Sequence, residues 1–271
     1  MQPTNKNHIV LKTIATFSLM LQTGISVADP TQADLAKQLS NPVADLISVP
    51  IQYNHDVGLG PDNGGRNITN IQPVIPFELN AETNIISRTI LPVVNYQSTY
   101  PGDNGASGIG DITQSFFYSP KALTADGWIW GAGLAVVIPT ANKEDLGSGK
   151  WSAGPTAVLL KQKDGWTYGG LINHVDSFAG QDNRDYVSST FVQPFLSFTT
   201  HTYTTFGINT ESTYNEHEAE WTVPINLTVA QLAKIGGHPV QFMIGYRKYV
   251  TNPTDTPEHG IRAQVTFLFP K

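Results

Sequence analysis

The chain has 271 residues and no cysteine; 14% of it is charged, 40% is hydrophobic, and its formal net charge is −6. One or two domains fit that length. Its aliphatic and aromatic content excludes disorder, the lack of cysteine excludes thiol catalysis, thiolate metal sites and disulfides, and the acidic balance argues against a nucleic-acid partner.

The first segment reads as an address. Lys6 and Lys12 precede an apolar stretch from Ile14 to Leu21, and no acid occurs before Asp29. Ser26-Val27-Ala28 then places small residues where a signal peptidase reads them, so residues 1–28 are expected to be a cleaved export signal. Residues 29–45 follow as a segment that either hangs in the periplasm or folds into the lumen as a plug. Within it ADLAKQLS, 33–40, has Leu35 and Leu39 at i and i+4, which predicts a short helix, and Pro42 ends the pattern. Ala230 to Ile235 is the one later stretch that could form another helical turn.

From residue 46 to 271 the pattern has period two. Trp221, Val223, Ile225, Leu227 and Val229 alternate with Thr222, Pro224, Asn226 and Thr228. Ile261, Ala263, Val265, Phe267 and Phe269 alternate with Arg262, Gln264 and Thr266. Each such run puts apolar side chains on one face and polar or small ones on the other, over about the 9–11 residues with which a tilted strand crosses a bilayer. The spacing predicts twelve strands, near 46–58, 68–79, 84–97, 109–119, 127–139, 151–162, 165–176, 186–199, 203–214, 219–231, 239–250 and 260–270. Four of them, 84–97, 109–119, 165–176 and 186–199, alternate poorly. An even number suits a bacterial outer-membrane barrel. The expected fold is therefore all-β: a transmembrane antiparallel β-barrel of about twelve strands with a short N-terminal helix.

Loop lengths separate by parity. The odd connections are long and polar, such as STYPGDNGASG and PTANKEDLGSG; the even ones are tight, such as LNAET and KDG. Short periplasmic turns and longer outer loops produce this alternation. The outer loops carry Asp62, Asp103, Glu144, Asp145, Asp182, Asp185, Glu216, Glu218, Glu220, Asp255 and Glu258, which attract cations at long range. An aromatic girdle is expected from Trp128, Trp130 and Trp166 at the periplasmic rim and Trp151 and Trp221 at the outer one. Seven prolines, Pro50, Pro73, Pro76, Pro92, Pro155, Pro194 and Pro224, fall inside these strands. Proline cannot donate to the ladder, so those away from strand starts call for bulges.

The segments SVPIQ (48–52), IQPVIPF (71–77), RTILPV (88–93), GWIWG (127–131), AGPTAVLLKQ (153–162), TESTY (210–214), WTVPINL (221–227) and the terminal FLFPK (267–271) together resemble bacterial outer-membrane proteins labelled transporters, related to the "MetA-pathway of phenol degradation" group. The resemblance spans about 40–271. It implies an outer-membrane β-barrel and suggests aromatic compounds as cargo, and it transfers no active-site residue.

The alternate, polar set would line a lumen: Asn54, Asp56, Gln72, Arg88, Asn209, Glu211, Asn226, Arg247, Arg262 and Gln264. Carboxylates mixed with arginines and amides argue against strong ion selectivity and suit small polar or weakly aromatic solutes. The reading is a channel in the outer membrane of a Gram-negative cell. Its expected partners are outer-membrane lipid and lipopolysaccharide, the barrel-assembly machinery and a small-molecule solute, with no cofactor and no metal. Two alternatives stand beside it. One is an outer-membrane enzyme with a rim site near His174, flanked by Asn173, Asp176 and Ser177; no Gly-framed nucleophile motif accompanies it. The other is a non-conducting structural barrel. Glu216-His217-Glu218 reads as an acidic loop, because the acids and the histidine point to opposite sides of an extended chain.

Overall fold

The computed structural model describes residues 30–97, 104–251 and 256–270. The expected export signal lies outside them. One helix, α1 (Pro30–Leu39), precedes twelve antiparallel strands. These are β1 (Ile47–Leu59), β2 (Gly64–Ile71 and Val74–Asn80), β3 (Thr83–Tyr96), β4 (Ala106–Ile109 and Ile112–Pro120), β5 (Trp128–Ile138) and β6 (Lys150–Lys163). There follow β7 (Trp166–Gly180), β8 (Ser188–Thr199), β9 (Thr204–Thr210 and Ser212–Asn215), β10 (Glu220–Thr222 and Pro224–Ile235), β11 (His238–Tyr249) and β12 (His259–Phe269). Each strand pairs with the next, and β12 returns to β1, with Ile47 opposite Phe269 and Val57 opposite His259. A closed ladder leaves no edge, the condition for a sheet in hydrocarbon. The twelve expected strands are all present. Residues 230–235, read as a candidate turn, belong to β10.

Alternation decides which face is which. On β1, Gln52, Asn54 and Asp56 are buried while Ile51 and Tyr53 are exposed. On β11, Phe242, Ile244 and Tyr246 are exposed while Gln241 and Arg247 are buried. The apolar belt thus faces outward on these strands. The interior, however, is not uniformly polar. Ile86, Phe117, Val158, Leu160 and Leu171 project inward from β3, β4, β6 and β7 into one buried cluster, with Phe191 and Phe195 of β8 beside it. This corrects the expectation that hydrophilic side chains alone crowd the centre. It also explains the poor alternation of the third, fourth, seventh and eighth strands: a strand apolar on both faces loses its period. β7 carries a bulge as well, Phe178 being the extra residue between Trp151–Ala179 and Ser152–Ser177.

The prolines sit at interruptions of the ladder. Pro73 occupies the break in β2, and Pro50 lies across from it, its carbonyl accepting from the Gln72 N–H at 2.9 Å. Pro224 follows the break at Val223. Pro92 faces the break in β4, where the Gly110 N–H reaches its carbonyl. Pro194 stands across from the break in β9. Pro155 falls where β6–β7 pairing skips from Ala153 to Thr156. Pro76 lies where β2 runs past the start of β1. So Pro76, Pro92 and Pro194 stay in register with one neighbour instead of occupying bulges, and on the other side the ladder is interrupted, Pro92 keeping there the bond its carbonyl accepts from Gly110.

α1 and the chain that follows cover the mouth on the side of the short turns. Pro30 takes the first helical turn, where its missing N–H is no loss. Pro42 stops the helix, and the Asn41 side chain accepts from the Val43 N–H at 3.0 Å to turn the chain inward. Leu35, Ala36, Ala44 and Leu46 pack on Leu232 and Leu268 of the inner wall, with Leu39 and Tyr203 against them. Gln162 donates to the Lys37 carbonyl at 2.8 Å. Val43 enters the apolar cluster of β3–β7. There Gly131 gives it room: a Cβ at 131 would lie 3.2 Å from Val43 Cγ1. Of the two placements open to residues 29–45, the described part is lumenal.

Candidate functional site

The polar residues singled out in the sequence meet on one wall. Register sets this: Asn54 pairs with Arg262, Asp56 with Arg66, Asn209 with Asn226, and Asn226 with Arg247. Each pair points inward together. Glu211 interrupts β9 between Thr210 and Ser212 and projects into the same space.

Two carboxylates organise the wall. Glu211 is held from both oxygens by Arg262, at 2.9 Å from Nη1 and 2.7 Å from Nη2, and Arg247 stands 3.8 Å away. Arg262 also donates from Nε to Asn54 Oδ1 at 2.8 Å, so its planar fork is filled. Asp56 is completely buried, between Arg66 at 3.3 Å and Arg247 at 3.5 Å, and accepts from the Tyr249 hydroxyl at 3.2 Å. Arg247 lies over the Tyr249 ring, 5.4 Å from its centroid. Asn226 donates to Asn209 at 2.8 Å. Ions taken from water need such multiple partners to repay desolvation.

A cavity of about 290 Å³ lies between this lattice and the α1 segment. Glu211, Arg262, Gln72, Arg88, Asn209 and Gln264 line it, with Leu39, Pro42, Val74, Phe195 and Met243 as its apolar part. Of the ten residues expected to line a lumen, these six border the cavity, while Asn54, Asp56, Asn226 and Arg247 are sealed into the wall beside it. Sequence reading missed Arg66, Gln52, Gln241 and Tyr249. Gln52 and Gln241 carried a signal, alternating in step with Asn54 and with Arg247, whereas Arg66 fell in the polar connection expected between the first two strands.

Elsewhere the side chains fall as follows. Trp128 meets Tyr168 edge-on at 5.9 Å and lies under Lys161; Trp166 meets Phe198 at 4.9 Å and Trp130 meets Tyr118 at 6.0 Å, all near the short-turn ends of their strands. Trp151 and Trp221 are each 41% exposed at the outer ends, Trp221 against Tyr214. His174 bonds Thr190 at 2.8 Å and Asp176 at 3.2 Å on the outward face of β7. Asn173 pairs with Thr156 on the inward face, and the Ser177 hydroxyl accepts from the Val187 N–H, so a Ser-His-Asn grouping does not assemble. The Asp176 carboxylate accepts from Tyr186 and holds that phenol above its ordinary range. Among the described residues no three histidine or carboxylate side chains converge as a metal site.

The loop between β5 and β6 is tied at two points. Asp111 accepts from the N–H of Ala141 and of Ser148 and from the Ser148 hydroxyl. Arg184, reaching from the β7–β8 loop, donates to the carbonyls of Glu144, Gly147 and Ser148. Arg184→Ala removes all three donations at once. Trypsin cleavage after the exposed Lys143 is expected to quicken by about tenfold, as hydrogen bonds from a charged donor contribute about 1.5–3 kcal/mol; a digestion time course on the folded protein reads this.

No family model matches the chain, and no curated protein sequence matches it significantly. Solved structures do. The COG4313 outer membrane channel from Pseudomonas putida F1 superposes with a TM-score of 0.64 at 15% identity, over 83% of this chain and 96% of that one. The chain has an outer-membrane β-barrel fold. Looser likenesses are the beta domain of the Bordetella autotransporter BrkA (TM-score 0.45, 9% identity, 83% of this chain, all of that one) and outer membrane phospholipase A from Escherichia coli (0.45, 9%, 82% and 92%).

Proposed function

We propose that the protein is a channel for passive movement of small solutes across the outer membrane of a Gram-negative bacterium, without enzymatic activity of its own. In this reading the chain is exported by residues 1–28 and inserted by the barrel-assembly machinery among phospholipid and lipopolysaccharide, and belongs with the transporter-like barrels of the MetA-pathway group. One observation carries it: a hydrogen-bonded polar wall borders a cavity that a short segment, residues 30–46, separates from the periplasmic mouth. Liposome swelling with sugars, amino acids and phenolic acids tests the reading. Uptake of at least one class is expected; uptake of none, with the folded barrel shown to be inserted, favours the structural alternative.

A further inference from the structure

The charges in the lumen do not balance. Above α1, the inner wall carries Arg66, Arg88, Arg247 and Arg262 against Asp56 and Glu211, a surplus of two positive charges among the described residues. Both carboxylates are committed to the other three arginines. Among the described residues Arg88 has no carboxylate within ion-pair distance, and it donates to Gln72 Oε1 at 3.4 Å. Within the lattice the buried atoms without a hydrogen-bond partner are balanced, Arg66 Nε and Arg247 Nε as donors against Asp56 Oδ1 and Asn226 Oδ1 as acceptors, so the surplus lies in the charge and in Arg88. A guanidinium with free donors at a cavity wall is made for a planar two-oxygen anion. The cavity that Arg88 borders also has an apolar side, formed by Val74, Phe195 and Leu39. Its 290 Å³ is at the small end for a ligand site.

We propose that this cavity binds a small organic monocarboxylate, its carboxylate on Arg88 and its apolar body against Val74 and Phe195. The assignment names the solute class of the channel proposed above and rests on that reading for its transport role, but binding itself does not require conduction. A simple inorganic anion satisfies the guanidinium and leaves the apolar side unused. A neutral molecule of the same shape satisfies the apolar side and leaves the guanidinium unpaired. The acidic outer loops do not contradict this, because charges beyond a Debye length of about 8 Å are screened, whereas Arg88 meets the solute directly.

Benzoate is the probe, titrated by calorimetry into the full-length exported chain in detergent, with benzyl alcohol and chloride as comparators. Benzoate is expected to bind at least tenfold more tightly than either. Arg88→Gln should weaken it by about tenfold or more, the value of a charge-assisted hydrogen bond, and Arg88→Lys should restore part of the loss. Heat-modified gel mobility establishes that each variant remains a folded barrel. Benzoate binding that is absent, unchanged in Arg88→Gln, or matched by benzyl alcohol or chloride overturns the proposal. Conductance in planar bilayers reads the channel separately: a silent bilayer sinks the channel reading, and the benzoate titration still decides this one.

Discussion

Glu211→Gln is expected to be the most destabilising single substitution in the lumen. The carboxylate is gripped by Arg262 through two bonds and approached by Arg247. Neutralising it leaves the Arg262 guanidinium, only 4% exposed, without a carboxylate, while Arg247 keeps Asp56 at 3.5 Å. Removing one partner of a buried ion pair costs about 3–5 kcal/mol, because the remaining charge is desolvated and uncompensated. The guanidinium chloride midpoint in detergent should therefore fall markedly. Arg88→Gln offers the contrast, since it breaks one long hydrogen bond and lowers the charge surplus; its midpoint should barely move. Selectivity should separate the two variants in the opposite sense. Glu211→Gln raises the positive surplus and should shift the zero-current potential in a salt gradient toward anions, while Arg88→Gln should shift it away. Equal stability losses for the two would show that the arrangement of ion pairs, as opposed to mere burial of arginine, does not set the energetics of this wall. The double variant Glu211→Leu/Arg262→Met provides a further check, because apolar replacement of both partners is often close to neutral.

Strand number, order and facing were readable from residue types because lipid enforces them. Wherever one face meets hydrocarbon and the other meets polar groups, as in Gln52-Tyr53-Asn54 or Ile261-Arg262-Ala263, the period of two is forced. The signal failed where the interior is itself apolar. Ile86, Phe117, Val158 and Leu171 carry the same residue types as the lipid face, so hydropathy cannot say which way they point. What makes that interior apolar is Val43, far away in sequence, and no local window contains both. The prolines were legible as anomalies but not as a pattern. Each marks a place where its own strand or a neighbouring one stops pairing, and that depends on register across strands. The site was half visible. The six charged side chains could be named as inward or missed one by one, but their pairing, and with it the solitary position of Arg88, follows only from the three-dimensional register that sets Asp56 between Arg66 and Arg247.

Deleting residues 30–43 is expected to change conductance more than any point substitution. The barrel does not depend on this segment for its ladder, which closes through β1 and β12. What the segment supplies is cover: Leu35 and Ala36 lie over Leu232 and Leu268, and Val43 fills the space between Phe117, Val158 and Leu171. Burial of a Leu or Val side chain stabilises by about 1.5–3 kcal/mol, so the segment is held by several kcal/mol and should remain seated most of the time. Its removal exposes an apolar throat and joins the cavity to the periplasm. Single-channel current in planar bilayers should rise severalfold, with only a modest fall in the unfolding midpoint. Val43→Asp makes the same point without shortening the chain: a carboxylate cannot stay unpaired among Ile86, Phe117, Val158, Leu160 and Leu171, so residues 41–46 should leave the lumen and the current should rise toward that of the deletion. If both variants conduct as the full chain does, the constriction lies elsewhere, and the obvious remaining place is the ion-pair lattice itself. There Asp56, Arg66 and Arg247 tie β11, β1 and β2 together along one wall, and conduction would then depend on how far that wall yields.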